Sequence, residues 1–269
     1  MTSHRLIPFL AFLASGALLA GCAGGGAGTP EGDETVTIRV AAVTSPATDI
    51  VEAAAAQIED GYEIEPLTVT DYVTVNNMLG AGDIEASFSQ HEPYMQEFND
   101  KNDASLSAVQ PVYNFLIGFY SQTVQDIDDL KEGARVAIPN DSSNAGRALK
   151  LLADSDLVTL DPAIDPYSAT VDDITDNPRG LEFLQVEIAQ LNTAYEEADL
   201  VFQWPSHIAA LGLTPQEDGL ITELDERFAL QLVVGDDVDD ETIAALRAAF
   251  TSDAVREIIE GNPSIEPAF

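Results

Sequence analysis

Apolar positions along this chain switch repeatedly between two periods. Thr35–Val43 is a β-branched run that reads as a strand, and Thr44-Ser45-Pro46 turns the chain after it. Asp49–Ile58 is apolar at helical spacing. Glu63–Thr70 alternates acids with apolars as a second strand, Val73–Leu79 reads as a short helix, and Asp83–Ser89 as a third strand. Pro93–Phe98 opens a helix, and Val112–Tyr120 reads as one long apolar strand. The alternation continues with a short helix over Asp126–Leu130, a strand over Ala134–Pro139 and a helix over Asn144–Leu152. Strands follow over Leu181–Glu187, Ala198–Gln203 and Phe228–Val234, and Asp240–Glu260 holds closing helices. Asp161–Gly180 is rich in Asp, Pro and Thr with only a weak helical pattern. Strands alternating with helices predict an α/β architecture.

Composition narrows the chemistry. The 269 residues hold 47 Asp+Glu against 11 Lys+Arg, a formal net charge of −36, with one Cys and three His. So few cations make a poor footprint for nucleic-acid phosphates. One Cys excludes an intramolecular disulfide, and a Cys/His zinc cage is nearly excluded by the same count. At 45% hydrophobic, the chain has the material for a folded core. The acids are scattered along the body, which describes a solvated acidic surface rather than a tail. That surface reads either as an adaptation to elevated salt or as the composition of the host proteome.

The amino end is an address. Arg5 precedes an apolar run from Leu6 to Ala20, too short for a comfortable membrane span. The run ends Leu19-Ala20-Gly21-Cys22, which resembles a bacterial lipobox. That reading makes 1–21 a lipoprotein signal peptide and Cys22 the lipidated residue; the alternative is an ordinary signal peptide with an incidental Cys. Residues 22–32 are small, Gly-rich and unsuited to packing, and read as a flexible tether for a body held at a membrane.

Two blocks carry a family signature. Asp71-Tyr72-Val73-Thr74, Gly82-Asp83-Ile84 and Gln90-His91-Glu92-Pro93-Tyr94 form the first. Val136-Ala137-Ile138-Pro139-Asn140-Asp141-Ser142-Ser143-Asn144-Ala145-Gly146-Arg147-Ala148-Leu149 forms the second. Together with Tyr113–Tyr120, Ala189-Gln190-Leu191 and Leu211-Gly212-Leu213-Thr214-Pro215, they make the chain resemble the methionine-uptake binding lipoproteins of the NlpA/MetQ family. The resemblance implies a two-lobed periplasmic-binding-protein fold with a hinge of two crossings. Lobe 1 would hold 33–116 plus 227–269, and lobe 2 would hold 117–226. The lobes would close on an amino acid, and a monomer would deliver it to an ABC permease and its ATPase, without any cofactor or metal.

The same resemblance assigns the site. Arg147 would take the ligand carboxylate, Asn144 would position polar contacts, and His91 and Tyr72 would line the pocket. Read from the residues alone, Arg147 and Asn144 lie three apart on one helix face, with Ser142 or Ser143 able to cap that helix. A guanidinium near a helix start suits a bidentate carboxylate; equally it could form a surface ion pair with one of many acids. Three positions depart from the family. Ser89 stands where the family has an aromatic, with Phe88 expected on the opposite strand face. Ser206 and Leu230 or Gln231 stand where it has Asn. Trp204 either replaces the lost aromatic surface or packs in the core. The departures keep open another amino acid or a short peptide as ligand, or a surface-interaction lipoprotein without a transport role.

Enzyme signatures do not appear. There is no Gly-x-Ser-x-Gly elbow and no phosphate-binding Gly-rich loop between strand and helix. Acid pairs such as Asp172-Asp173 arise from composition alone and carry no glycosidase signal. The acidity itself generates a test. If it is a salt adaptation, the melting temperature rises from low to molar salt as screening removes self-repulsion; a flat or falling trend disproves it.

Overall fold

The computed structural model describes residues 35–269, so the signal peptide, Cys22 and the tether over 22–32 lie outside the described residues. In chain order the first elements are β1 (Val36–Ala42), α1 (Ala47–Ala55), β2 (Tyr62–Thr68), α2 (Tyr72–Gly80), β3 (Ala86–His91), α3 (Glu92–Asn102) and β4 (Ser107–Phe115). Next come β5 (Ile117–Tyr120), β6 (Arg135–Pro139), α4 (Ser142–Asp154), a small hairpin of β7 (Thr159–Leu160) with β8 (Ile174–Asp176), and β9 (Glu182–Val186). The chain continues through α5 (Leu191–Ala194), β10 (Leu200–Gln203), α6 (Pro205–Ala209), α7 (Pro215–Asp218) and β11 (Ile221–Glu223). It closes with β12 (Leu230–Val234), α8 (Asp240–Phe250), α9 (Asp253–Glu260) and β13 (Ile265–Pro267).

Two sheets organise these elements. The first has the order β13-β4-β12-β3-β1-β2 and the second β11-β5-β10-β6-β9. Within the first, β1 runs parallel to β2 and β3, while β12 is antiparallel to both β3 and β4. In the second, β6 is parallel to β9 and β10, and β5 is antiparallel to β10 and β11. Interior strands are covered on both faces: β3, β10 and β12 are buried at every position, and β10 and β12 are mostly apolar while β3 buries Ser87, Ser89, Gln90 and His91.

The chain therefore changes sheets twice. It leaves the first sheet after Phe115 and returns between β11 and β12. The long strand expected over Val112–Tyr120 is two strands of different sheets. At the break, Leu116 N–H donates to the carbonyl of Ser264 at 3.0 Å rather than to a neighbour in either ladder. Apolar periodicity missed the break because the residues on both sides of it are buried. Gly118 makes the second sheet's edge possible: a Cβ there would sit 2.5 Å from the carbonyl oxygen of Ile221 on β11.

Local corrections follow the same logic. Asp126–Leu130 contains a single 3₁₀ turn, Ile127–Asp129, rather than a helix. The region 161–180 holds two 3₁₀ turns and β8, tied by the Asp165 and Asp173 carboxylates, which accept from the N–H groups of Tyr167 and Thr170. The cap of α4 is Asp141, not Ser142 or Ser143: its Oδ1 accepts from the N–H of Asn144 at 2.9 Å. The stripe Ala145, Ala148, Leu149 and Leu152 is buried as its spacing predicts. No helix among the described residues is long and apolar enough to cross a membrane.

Helix α4 is pressed against the 3₁₀ turn Pro166–Ser168, and Gly146 is the point of closest approach. A Cβ at 146 would lie 2.2 Å from the Tyr167 carbonyl oxygen, which is backbone and cannot swing away. Gly146→Ala is expected to cost about 1–3 kcal/mol through forced displacement of that turn, read as a lower urea midpoint at unchanged slope. An unchanged midpoint would disprove the packing argument.

Candidate ligand cleft

Strand β3 delivers Ser89, Gln90 and His91 to its carboxyl end, the usual side for ligands in α/β sheets. His91 then caps α3, with its Nδ1 accepting from the N–H of Tyr94 at 3.2 Å. An accepting Nδ1 leaves the proton on Nε2, which donates to Asn144 Oδ1 at 2.9 Å. Asn144 Nδ2 in turn donates to Asp141 Oδ1 at 2.9 Å, so the amide orientation is consistent along the chain of bonds. Burial, aided by the nearby Arg147 charge, pushes the His91 imidazole down to about 3. His91 belongs to the first sheet's body and Asn144 to the second's, so this bond bridges the two.

A second bridge forms higher in the cleft. Asp71 caps α2 by accepting from Thr74 N–H at 2.6 Å, which sets Tyr72 at the helix start. Tyr72 OH and His207 Nε2 share a hydrogen bond at 3.1 Å. Trp204 packs against His207 and Phe202, with ring centroids 5.5 and 5.6 Å apart. Desolvation pushes the Tyr72 hydroxyl up to about 12 and the His207 imidazole down to about 4. A third bridge is carboxylate to helix: Glu97 on α3 accepts from the N–H groups of Ser142 and Ser143 at 3.1 and 2.9 Å, meeting the positive end of α4.

Between these bridges lies a cavity of about 410 Å³. Tyr72, Ser89, His91, Asn144, Trp204 and Ser206 all line it, six of the seven ligand candidates read from the sequence. Phe88 faces away, packed edge-on against Tyr113 and Phe250. Leu230 reaches the wall; Gln231 does not. Tyr113, Phe115, the turn Val43–Ala47 and the segment Asn262–Ile265 also line the space. These come from distant parts of the chain; only Tyr113 and Phe115 lie in a stretch that the sequence singled out.

Arg147 is the exception. It is not on the wall but one layer behind it, 2% exposed. Its guanidinium lies 5.1 Å from the ring centre of Phe115 and 4.2 Å from that of Phe228. Nε donates to Glu223 Oε1 at 2.6 Å, and Nη1 is buried without a partner. Its ion pair is internal rather than the surface pair considered from composition.

A model of the NlpA lipoprotein family matches residues 38–266. The chain belongs to this family. It is 32% identical over 255 residues to the D-methionine-binding lipoprotein MetQ of Escherichia coli, covering 93% of each chain. It is similar in structure to a nutrient-binding protein from Burkholderia cenocepacia solved bound to methionine, at 28% identity and a TM-score of 0.81, over 86% of this chain and 100% of that one. A periplasmic substrate-binding protein of an ABC transporter from Coxiella burnetii matches at 30% identity and a TM-score of 0.80, over 86% and 100% of the two chains. The α/β, two-lobed architecture of the family is thus that of this chain.

In this NlpA-family cleft the wall is neutral: among the described residues no Asp, Glu, Lys or Arg lines the cavity. Hydrogen-bond donors and acceptors alternate with aromatic surface, a combination that fits a small polar molecule with an apolar side chain. Keeping two imidazoles uncharged links folding to pH. His91 and His207 hold folded values of about 3 and about 4 against 6.5 in the unfolded chain, so the unfolded chain binds protons first. The stability they contribute is present above pH 6.5 and is lost as pH falls towards 4. Each group contributes a slope of about 1.4 kcal/mol per pH unit in that window. His207→Gln is expected to flatten the decline measured by urea denaturation; an unchanged slope would show that His207 is not held neutral.

Proposed function

We propose that this chain is a lipid-anchored solute-binding protein of an ABC importer. It binds methionine or a related amino acid between its lobes and delivers it to the permease. The observation that carries this reading is the neutral cavity between the two sheets, in a family whose named relatives include methionine-binding lipoproteins. Lobe 1 comprises 33–116 plus 227–269 and lobe 2 comprises 117–226, with the two sheet-to-sheet crossings as the hinge. Closure shifts a pre-existing open–closed balance, since bonds such as His91–Asn144 and Tyr72–His207 join the lobes around the cavity. Lipidation at Cys22 holds the body on the extracytoplasmic face, and two acyl signals on a flexible tether keep it near its permease.

Behind the wall, Arg147 is the donor for the ligand carboxylate, since its Nη1 has no partner while Nε is held by Glu223. Asn144 and His91 offer polar contacts, Tyr72 and Trp204 the aromatic surface. A second reading in the same fold is another amino acid or a short peptide. It is favoured by one observation: Ser89, Ser206 and Leu230, all departures from the family pattern, line the cavity. Smaller walls at 89 and 206 leave room that methionine would not fill.

Calorimetric titration of the ligand-stripped protein decides between them, with L- and D-methionine, then other amino acids and dipeptides. Methionine binding is expected, and Arg147→Ala should weaken it by about 1.5–3 kcal/mol, roughly ten- to a hundredfold. A hit only elsewhere in the panel would establish the second reading. Silence across the panel would end the amino-acid reading and favour a surface-interaction role.

A further inference from the structure

The cavity wall has no charge of its own, so the charge balance just behind it decides which ligands enter. The cation there is Arg147, stacked on Phe115 of the wall and one helical turn from Asn144 of the wall. That charge is already matched. Glu223, on β11 and paired in register with Ile117 of β5, accepts from Arg147 Nε at 2.6 Å. The next acid, Asp225, accepts from the Tyr167 hydroxyl and, at 2.9 Å, from the N–H of Arg227, and its charge also acts on Arg147. The Arg227 guanidinium lies 3.9 Å from the Tyr167 ring centre, and its charge acts on Asp225. His91 on the wall, and His207 behind it against Tyr72 and Trp204, are neutral.

The layer behind the wall therefore holds no surplus cation, and Asp141, which accepts from Asn144 of the wall, adds a carboxylate there. Uncompensated charge brought into such an enclosed space loses hydration without a counter-ion. A zwitterion brings its own compensation. An anion lacking the α-ammonium group adds a negative charge beside a guanidinium that Glu223 has already neutralised. A cation lacking the carboxylate finds no acid on the wall.

We propose that Glu223 is a specificity-determining residue of the cleft: by holding Arg147 in a neutral pair, it restricts the ligand to net-neutral, zwitterionic α-amino acids and rejects the corresponding anionic acids. The proposal rests on the amino-acid reading of the cleft. Glu223 acts through Arg147 and is a positioning residue, so its signature is a change in ligand selectivity rather than a uniform loss of affinity.

The test uses the intact, ligand-stripped protein and three probes: L-methionine, its α-hydroxy acid and methioninamide. In the wild type, methionine is expected to bind at least about a hundredfold more tightly than either analogue. In Glu223→Gln, which keeps the shape and an acceptor oxygen but not the charge, the guanidinium is left uncompensated. The hydroxy-acid-to-methionine affinity ratio should then move about tenfold or more towards the anion, while Glu223→Asp keeps the wild-type preference. A folded Glu223→Gln that weakens all three probes equally, leaving the ratios unchanged, overturns the proposal and assigns Glu223 a purely structural part. So does a wild type that binds the hydroxy acid as tightly as methionine, a result that does not depend on any variant folding. A wild type that binds none of the three overturns methionine as the ligand, and the proposal with it.

Discussion

A buried guanidinium is tolerated only when it is paired and its faces are covered, and the way Arg147 meets that constraint shapes the cleft. One face of requirements is electrostatic and is met by Glu223 on β11. The other is packing, met by Phe115 and Phe228. Those rings sit on the two segments by which the chain passes between its sheets. Phe115 ends β4, and Phe228 lies in the turn that leads back to β12. Phe228 also meets the His91 ring edge-on at 4.9 Å. The same group that would answer a ligand carboxylate is thus wedged between both crossings and touches the support of a wall residue. Occupancy of the cavity and the angle between the sheets share one set of contacts.

Around that wedge, polar side chains do the joining that apolar packing does elsewhere. His91 to Asn144, Tyr72 to His207, Glu97 to the start of α4, and Gln216 to the Pro263 carbonyl at 2.7 Å all run between elements of different sheets. Hydrogen bonds of this kind contribute little net stability, since water satisfies the same groups when they part. A set of them can therefore form and break as a cleft closes and opens, where an apolar interface would stay shut. Glu97 illustrates the balance. Desolvation raises its carboxyl, yet the Lys101 ammonium and the two N–H donors outweigh it and hold the group below its ordinary range. It stays ionised as the partner of a helix start on the other sheet's body.

Much of the fold was legible because its cause is local. β-branched runs, helical stripes and turn residues predicted β1, β6, α4 and the closing helices within a few residues. Short elements such as β11, β13 and α5 to α7 carry too few residues for a period to show. The break at Leu116 was hidden for the opposite reason: both halves are buried, and burial erases periodicity. At the site, the block around His91 and the block around Asn144 were recognisable as motifs, and both contribute residues to one cavity. Glu223 and Glu97 were not singled out, because in a chain with 47 acids no single carboxylate stands out.

What the sequence by itself determined is the class of the protein: an alternating α/β body with one family's blocks in order and spacing. These are properties of contiguous stretches, where neighbouring side chains decide the outcome. Only the tertiary structure decided which carboxylate Arg147 faces, that it stands behind the wall rather than on it, and that the wall is uncharged. Those outcomes depend on which segments meet across a distance of many residues. Position 147 and position 223 are brought together by the second sheet, and no pattern local to either one contains the other.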